Sequence, residues 1–164
     1  MDTQRTRTIT WEDPMETAAV AMDGRSGLDL MRSLIAGEIP QPPIAHSLGF
    51  TLSEVDQGHA VFVLDPAEFH YNPIGSVHGG VFATLLDSAC GCAVHTTLPA
   101  GTAYTSLDLS VKFLGAMRAD TGLVTCTGTV KHRGRRTALA EAEIRDGRGK
   151  LLATATSSCL LFDL

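Results

Sequence analysis

The sequence predicts an α+β fold in which a curled antiparallel sheet wraps around one long central helix. Three observations carry this. Gly79 to Val94 is a run of small and apolar residues broken by one charge, Asp87. After it the hydrophobic period changes to two, as in "SLDLSVKF", residues 106–113. Before it, two β-type runs flank Asp56-Gln57-Gly58, a hairpin signal. A helix apolar all round needs burial on nearly all sides, and a sheet that curls can supply it. Ala83, Ala89, Gly91 and Ala93 would let strands come close to that helix.

The elements follow in order. Residues 1–25 are polar and weakly periodic and read as an extended or loosely packed arm, leaving 26–164 as one domain. Ser26 with Asp29 three residues on resembles a capping box, so a short helix starts there. Leu28, Met31 and Ile35 share one of its faces, and Gly37 and Pro40 stop it. "PQPP" reads as an extended connector. Strands are expected over 48–56 and 59–65, a loop over 72–77 and the long helix over 79–97. In 106–113, Leu107, Leu109, Val111 and Phe113 alternate with polar residues, a half-buried strand. Three more strands, in 121–132, 136–146 and 150–162, follow with hairpin-like connections.

Composition bounds the function. The chain has 164 residues, 44% hydrophobic and 19% charged, enough apolar matter for a core. A net charge of −5 argues against nucleic acid as the main partner. The start has no signal-peptide pattern, and no apolar run reaches the ~18 residues of a membrane span. A soluble, cytoplasmic protein is expected. Cys90, Cys92, Cys126 and Cys159 read as small core residues. The six histidines show no metal-ligand spacing with Cys or carboxylate, so no metal is expected.

A lone Asp in a helix usually marks the solvent face. The positions sharing this face, Gly80, Ala83, Thr84, Gly91 and Val94, are neither charged nor long. An unpaired carboxylate among them is costly, which makes Asp87 a functional candidate. His78-Gly79-Gly80 opens the helix. Glycines there admit a ligand close to the backbone, and the first N–H groups, at the positive end of the dipole, can stabilise an oxygen that becomes negative. Gly79 and Asp87 lie about 12 Å apart along the axis, too far to serve one carbonyl. Two chains packed helix beside antiparallel helix could, which predicts a dimer with composite sites.

"NPIGSVHGGVFATLLDSACG" resembles the active-site segment of hotdog-fold thioesterases, specifically the phenylacetate-degradation (PaaI-type) acyl-CoA thioesterases. Asn72, Gly75, His78, Gly79, Gly80, Leu86 and Asp87 match that pattern, and the resemblance runs over about residues 44–162. It implies an acyl-CoA thioesterase without metal or cofactor, with coenzyme A present only in its substrate. Asp87 matches the catalytic carboxylate, acting as nucleophile or as general base, and Gly79 the N–H that polarises the carbonyl. Asn72 and His78 match loop positions that shape the site, and Ser106 a hydroxyl that places the attacking water. Gly80 gives close backbone approach. In "KHRGRR", residues 131–136, Arg135 and Arg136 match a basic turn, and with His132 they suit the phosphates of coenzyme A. Family members are dimers that pair into tetramers. A hydratase or dehydratase using His78 with Asp87, and an acyl-CoA-binding protein without catalysis, are the alternatives. Aryl, phenylacetyl and medium-chain acyl groups all fit an Ala- and Leu-lined tunnel.

Overall fold

The computed structural model describes residues 3–21 and 24–164. Residues 3–13 have no regular structure and lead into a helix the sequence did not predict, α1 (Pro14–Ala21). The arm is pinned rather than loose. Arg7 donates to the Ser47 and His46 carbonyls at 2.6 and 2.9 Å, and its guanidinium sits 3.9 Å above the Phe69 ring.

Helix α2 (Gly27–Ile35) starts as predicted, with Ser26 Oγ accepting the Asp29 N–H at 3.2 Å. Its buried face differs from the prediction. Gly27 and Met31 are buried, Leu30 and Leu34 pack beside them, and Ile35 is 41% exposed. Gly27 is the reason. It donates its N–H to the Leu98 carbonyl at 3.0 Å, and a Cβ there would strike the His95 carbonyl. The helix seats on its glycine, which leaves Ile35 exposed and Leu28 half-buried. The proline connector also differs, because Pro43 opens a helix, α3 (Pro43–Leu48), that ends at Gly49 with φ +73°. Proline tolerates the first helical position because its missing N–H would be unpaired there anyway.

Strands β1 (Phe50–Asp56) and β2 (His59–Leu64) form the predicted hairpin, and α4 (Gly79–His95) is the long helix. The expected strand over 106–113 is two pieces, β3 (Thr102–Ser106) and β4 (Ser110–Phe113), both pairing with β7 (Leu151–Asp163). With β5 (Val124–Arg133) and β6 (Thr137–Asp146) they complete an antiparallel sheet of order β1-β2-β5-β6-β7-β3. Only β5-β6 and β6-β7 among the later connections are hairpins. β5 crosses over to pair with β2.

The sheet curls around α4, burying Val81, Phe82, Leu85, Leu86, Ala89, Cys90, Ala93 and Val94. Gly128 on β5 makes this possible, since a Cβ there would strike the Ala89 carbonyl oxygen. Coverage is not complete. The sheet ends at β3 and β4, so Gly80 is exposed and Ala83, Thr84, Asp87 and Ser88 are half-buried. At the same edge Leu107 and Phe113, expected inside, are 58% and 57% exposed. The cysteines are free; Cys90, Cys126 and Cys159 are buried core residues and Cys92 is half-buried. Burial and the nearby Asp87 charge push Cys90 and Cys92 up to about 12. No helix among the described residues is long and apolar enough to cross a membrane.

Candidate active site

The start of α4 is held by local hydrogen bonds. Asn72 Oδ1 accepts the Ile74 and Ser76 N–H groups at 3.0 and 3.3 Å, and Asn72 Nδ2 donates to Ser76 Oγ at 3.2 Å. The Asn72 side chain thus shapes its own loop. Gly75 at φ +80° lets that loop close. His78 caps the helix, its Nδ1 accepting the Gly80 N–H at 2.9 Å. The His78 N–H goes to the His70 carbonyl at 2.8 Å, and the Val81 N–H to the His78 carbonyl at 2.9 Å. Of the donors at this helix end, only the Gly79 N–H has no partner among the described residues. The Gly80 N–H, by contrast, is taken. Gly80 contributes small size, since a Cβ there would lie 3.0 Å from His78 Nδ1.

His70 is a buried neighbour of this loop that sequence reasoning missed. It is buried, 3% exposed, and its Nδ1 accepts the Ala67 N–H at 3.0 Å. Nε2 therefore carries the proton and donates to the Leu48 carbonyl at 2.7 Å. Burial lowers its pKa, and the Arg7 charge adds to that. One residue thus ties the end of α3 to the start of α4.

Asp87 lies two turns further along. Ser106 Oγ on β3 donates to its Oδ1 at 2.9 Å. One helical turn on, the Tyr104 hydroxyl covers Gly91, where a Cβ would meet it at 2.5 Å. The structure therefore brings Asp87 and Ser106 together, and His78 with Gly80, but leaves Gly79 and Asp87 separated in one chain. The sheet registers show the same separation. Ser106 faces Cys159, which faces Ala138, which faces Arg133. Phe113, beside Gly79, faces Ala153 and then Ile144. The two rows are six residues apart on β7, roughly 20 Å.

The basic turn belongs to the Asp87 row. Arg133 ends β5 and Thr137 starts β6, so Arg135 and Arg136 project just beyond it. Lys131 pairs with Glu141 at 3.0 Å. His132, Arg135 and Arg136 are exposed, and among the described residues none of the three has an ion-pair partner. No group of three or more His, Cys, Asp or Glu side chains among the described residues could hold a metal ion.

Residues 74–153 match the profile of the thioesterase superfamily. A 1,4-dihydroxy-2-naphthoyl-CoA hydrolase of Listeria monocytogenes is 29% identical over 109 residues, 66% of this chain and 87% of the relative. A crystal structure from Ralstonia eutropha, described as a candidate thioesterase related to phenylacetic acid degradation, is 31% identical with a TM-score of 0.72. That match covers 79% of this chain and 98% of the other. The Escherichia coli PaaI protein, from the phenylacetic acid degradation operon, is 26% identical with a TM-score of 0.68, covering 74% and 86% of the two chains.

Proposed function

This chain belongs to the thioesterase superfamily, with its hotdog fold and its thioester hydrolase class of activity, and from that premise we propose that it hydrolyses acyl-CoA to a carboxylic acid and coenzyme A at sites shared by two copies. The observation that carries this is the pairing of roles along α4. A free N–H stands at its positive end, and a carboxylate oriented by Ser106 stands two turns away.

In the proposed site the thioester oxygen accepts the Gly79 N–H. Negative charge developing on that oxygen is favoured by the donor and the helix dipole together. His78, with Nδ1 occupied by Gly80, carries its proton on Nε2 and acts as a donor. Asp87 of the partner subunit reaches the carbonyl carbon from the other side. As a general base it takes a proton from water, the hydroxide attacks, and the tetrahedral intermediate expels the thiolate, which recovers the proton. As a nucleophile it attacks the carbonyl carbon and the C–S bond breaks, releasing thiolate and leaving a mixed anhydride; water then hydrolyses the anhydride to the free acid and the Asp87 carboxylate, and its proton goes to the thiolate. Thioester carbonyls have weak resonance and thiolates leave readily, so this chemistry requires no metal.

The free edge at β3 and β4, with Leu107, Phe113 and Leu114 exposed, supports a partner there, since single chains rarely leave such an edge uncovered. The resemblance extends the reading to two dimers forming a tetramer. His78 as an acid–base partner of Asp87, as a hydratase would need, is disfavoured because its accepting nitrogen is occupied. The deciding experiment is thiol release from a panel of acyl-CoAs, run beside enoyl-CoA hydration and equilibrium binding. Thiol release is expected. Hydration, or binding without release, would overturn the reading.

A further inference from the structure

The end of α3 draws on outside donors. A helix leaves its last four carbonyls without intrahelical partners. Here the Gly49 N–H donates to Ala45 at 2.6 Å, and His70 Nε2 donates to Leu48 at 2.7 Å. The two carbonyls between them, His46 and Ser47, are taken by Arg7 of the N-terminal arm. A guanidinium presents two N–H groups in a fixed fork, so one side chain serves both.

The same guanidinium makes a second contact. It lies over the face of Phe69, where the ring attracts a cation, and the Phe69 ring in turn stands 4.1 Å, centroid to centroid, from His70. Phe69 and His70 belong to a single helical turn, Glu68–His70, and Arg5 of the arm pairs with Glu68 at 2.8 Å. The arm thus clasps this turn to the end of α3.

The turn carries the start of α4. The His70 carbonyl accepts the His78 N–H at 2.8 Å, and His78 caps the helix immediately before Gly79. The Gly79 N–H lies in the rigid peptide plane that begins at His78, so a shift of the turn re-aims that donor. Magnitudes separate the two effects of the clasp. Phe69 is 50% exposed and Arg7 is exposed, and contacts at such positions add little to stability. A donor to a developing oxyanion, in contrast, loses its effect when displaced by about 1 Å.

We infer that Arg7 is a positioning residue: by clasping the Glu68–His70 turn to α3 it sets the direction of the Gly79 N–H, which makes the N-terminal arm part of the hydrolytic site. The inference rests on the thioesterase reading above.

The test compares the full-length wild type with Arg7→Ala and Phe69→Leu. Both side chains are at the surface, so both variants should fold, which their melting temperatures check. Thiol release is measured on benzoyl-, phenylacetyl- and hexanoyl-CoA, and kcat and KM are taken on whichever the wild type hydrolyses fastest. In each variant kcat should fall about tenfold while KM stays within about twofold, because the donor acts on charge that develops only in the transition state. The double variant should be no slower than Arg7→Ala, since both changes release one turn. The His78 amide should exchange its hydrogen faster in both variants, with the Leu85 and Leu86 amides unchanged. An active wild type whose kcat is kept in either variant, or a His78 amide that exchanges no faster, would overturn the role of Arg7 alone. Wild-type protein that releases thiol from none of the three would sink the hydrolase reading and the arm's part in it.

Discussion

Ser106 and Asp87, nineteen residues apart in sequence, meet across β3 and α4 through a 2.9 Å hydrogen bond from Ser106 Oγ to Asp87 Oδ1. The bond fixes one carboxylate oxygen and leaves Oδ2 without a hydrogen-bond partner among the described residues. It also explains how an acidic residue is tolerated on a face of small residues: a strand hydroxyl comes to meet it.

Asp87→Asn should keep the fold and lose most turnover. Asparagine is nearly isosteric and can still accept from Ser106, but it neither attacks a carbonyl nor takes a proton. A fall in kcat of ~10²-fold or more is expected. Near-wild-type kcat with an unchanged melting temperature would reduce Asp87 to a packing residue.

Ser106→Ala should cost less, about tenfold in kcat, because it removes a group that orients the carboxylate and not the carboxylate itself. The double variant Ser106→Ala, Asp87→Asn should be no slower than Asp87→Asn, since both act through one group. Additive losses would show that Ser106 works independently.

Arg135→Ala with Arg136→Ala should raise KM for acyl-CoA far more than for the same acyl group on a short pantetheine-like thiol. Charge-assisted contacts to phosphate are worth about 1.5–3 kcal/mol when well formed, and less at an exposed turn such as this. Equal effects on both thioesters would place the turn away from the nucleotide.

His70 links stability to pH. Its pKa in the fold lies below the ordinary 6.5, so the unfolded chain binds more protons in that range. Its contribution is full above about 6.5 and is lost as pH falls through the folded value. His95, also lowered by burial, acts in the same direction. The melting temperature should therefore drop on acidification from neutrality, and His70→Gln should shrink that drop by on the order of a few degrees. Glutamine offers an acceptor for Ala67 and a donor for Leu48 without titrating. An identical slope in the variant would remove His70 from the linkage.

Much of this architecture is legible in the sequence, and the failures have local causes. Gly79–His95 reads as the central helix because its small apolar residues demand burial. Residues 106–113 alternate in sequence, but of the four apolar positions only Leu109 and Val111 are half-buried, and the ladder breaks between Ser106 and Ser110. There the Asp108 carboxylate accepts the Ser158 N–H at 3.2 Å, and Ser157 Oγ donates to the Asp108 carbonyl at 2.8 Å. Side chains take over ladder positions, and periodicity cannot register that. The face of α2 was misread because a glycine, not a leucine, makes its closest contact. Asp87 and Gly79 stand out locally, whereas Phe113 against Gly79 is a long-range contact with no local signal.

The assembly prediction is the most exposed to failure. Gly79 and Asp87 cannot serve one carbonyl within a chain, so two inactive variants should rescue one another. One is Asp87→Asn. The other is Gly79→Pro, which deletes the free N–H at a first helical position where proline is tolerated. The preceding residue already suits it, with His78 at φ −63° and ψ 140°. The new ring would crowd Phe113, since a Cβ on Gly79 would lie 3.2 Å from its Cζ, so the melting temperature and the dimer mass of Gly79→Pro are measured before rescue is scored. A mixed dimer then holds one site with both defects and one with neither. Refolding the variants together in equal amounts makes about half the dimers mixed, so roughly a quarter of wild-type activity should return if sites are independent. Each variant alone should stay near background. If the subunits demonstrably exchange and nothing returns, the donor and the carboxylate do not meet across an interface, and the composite site is wrong.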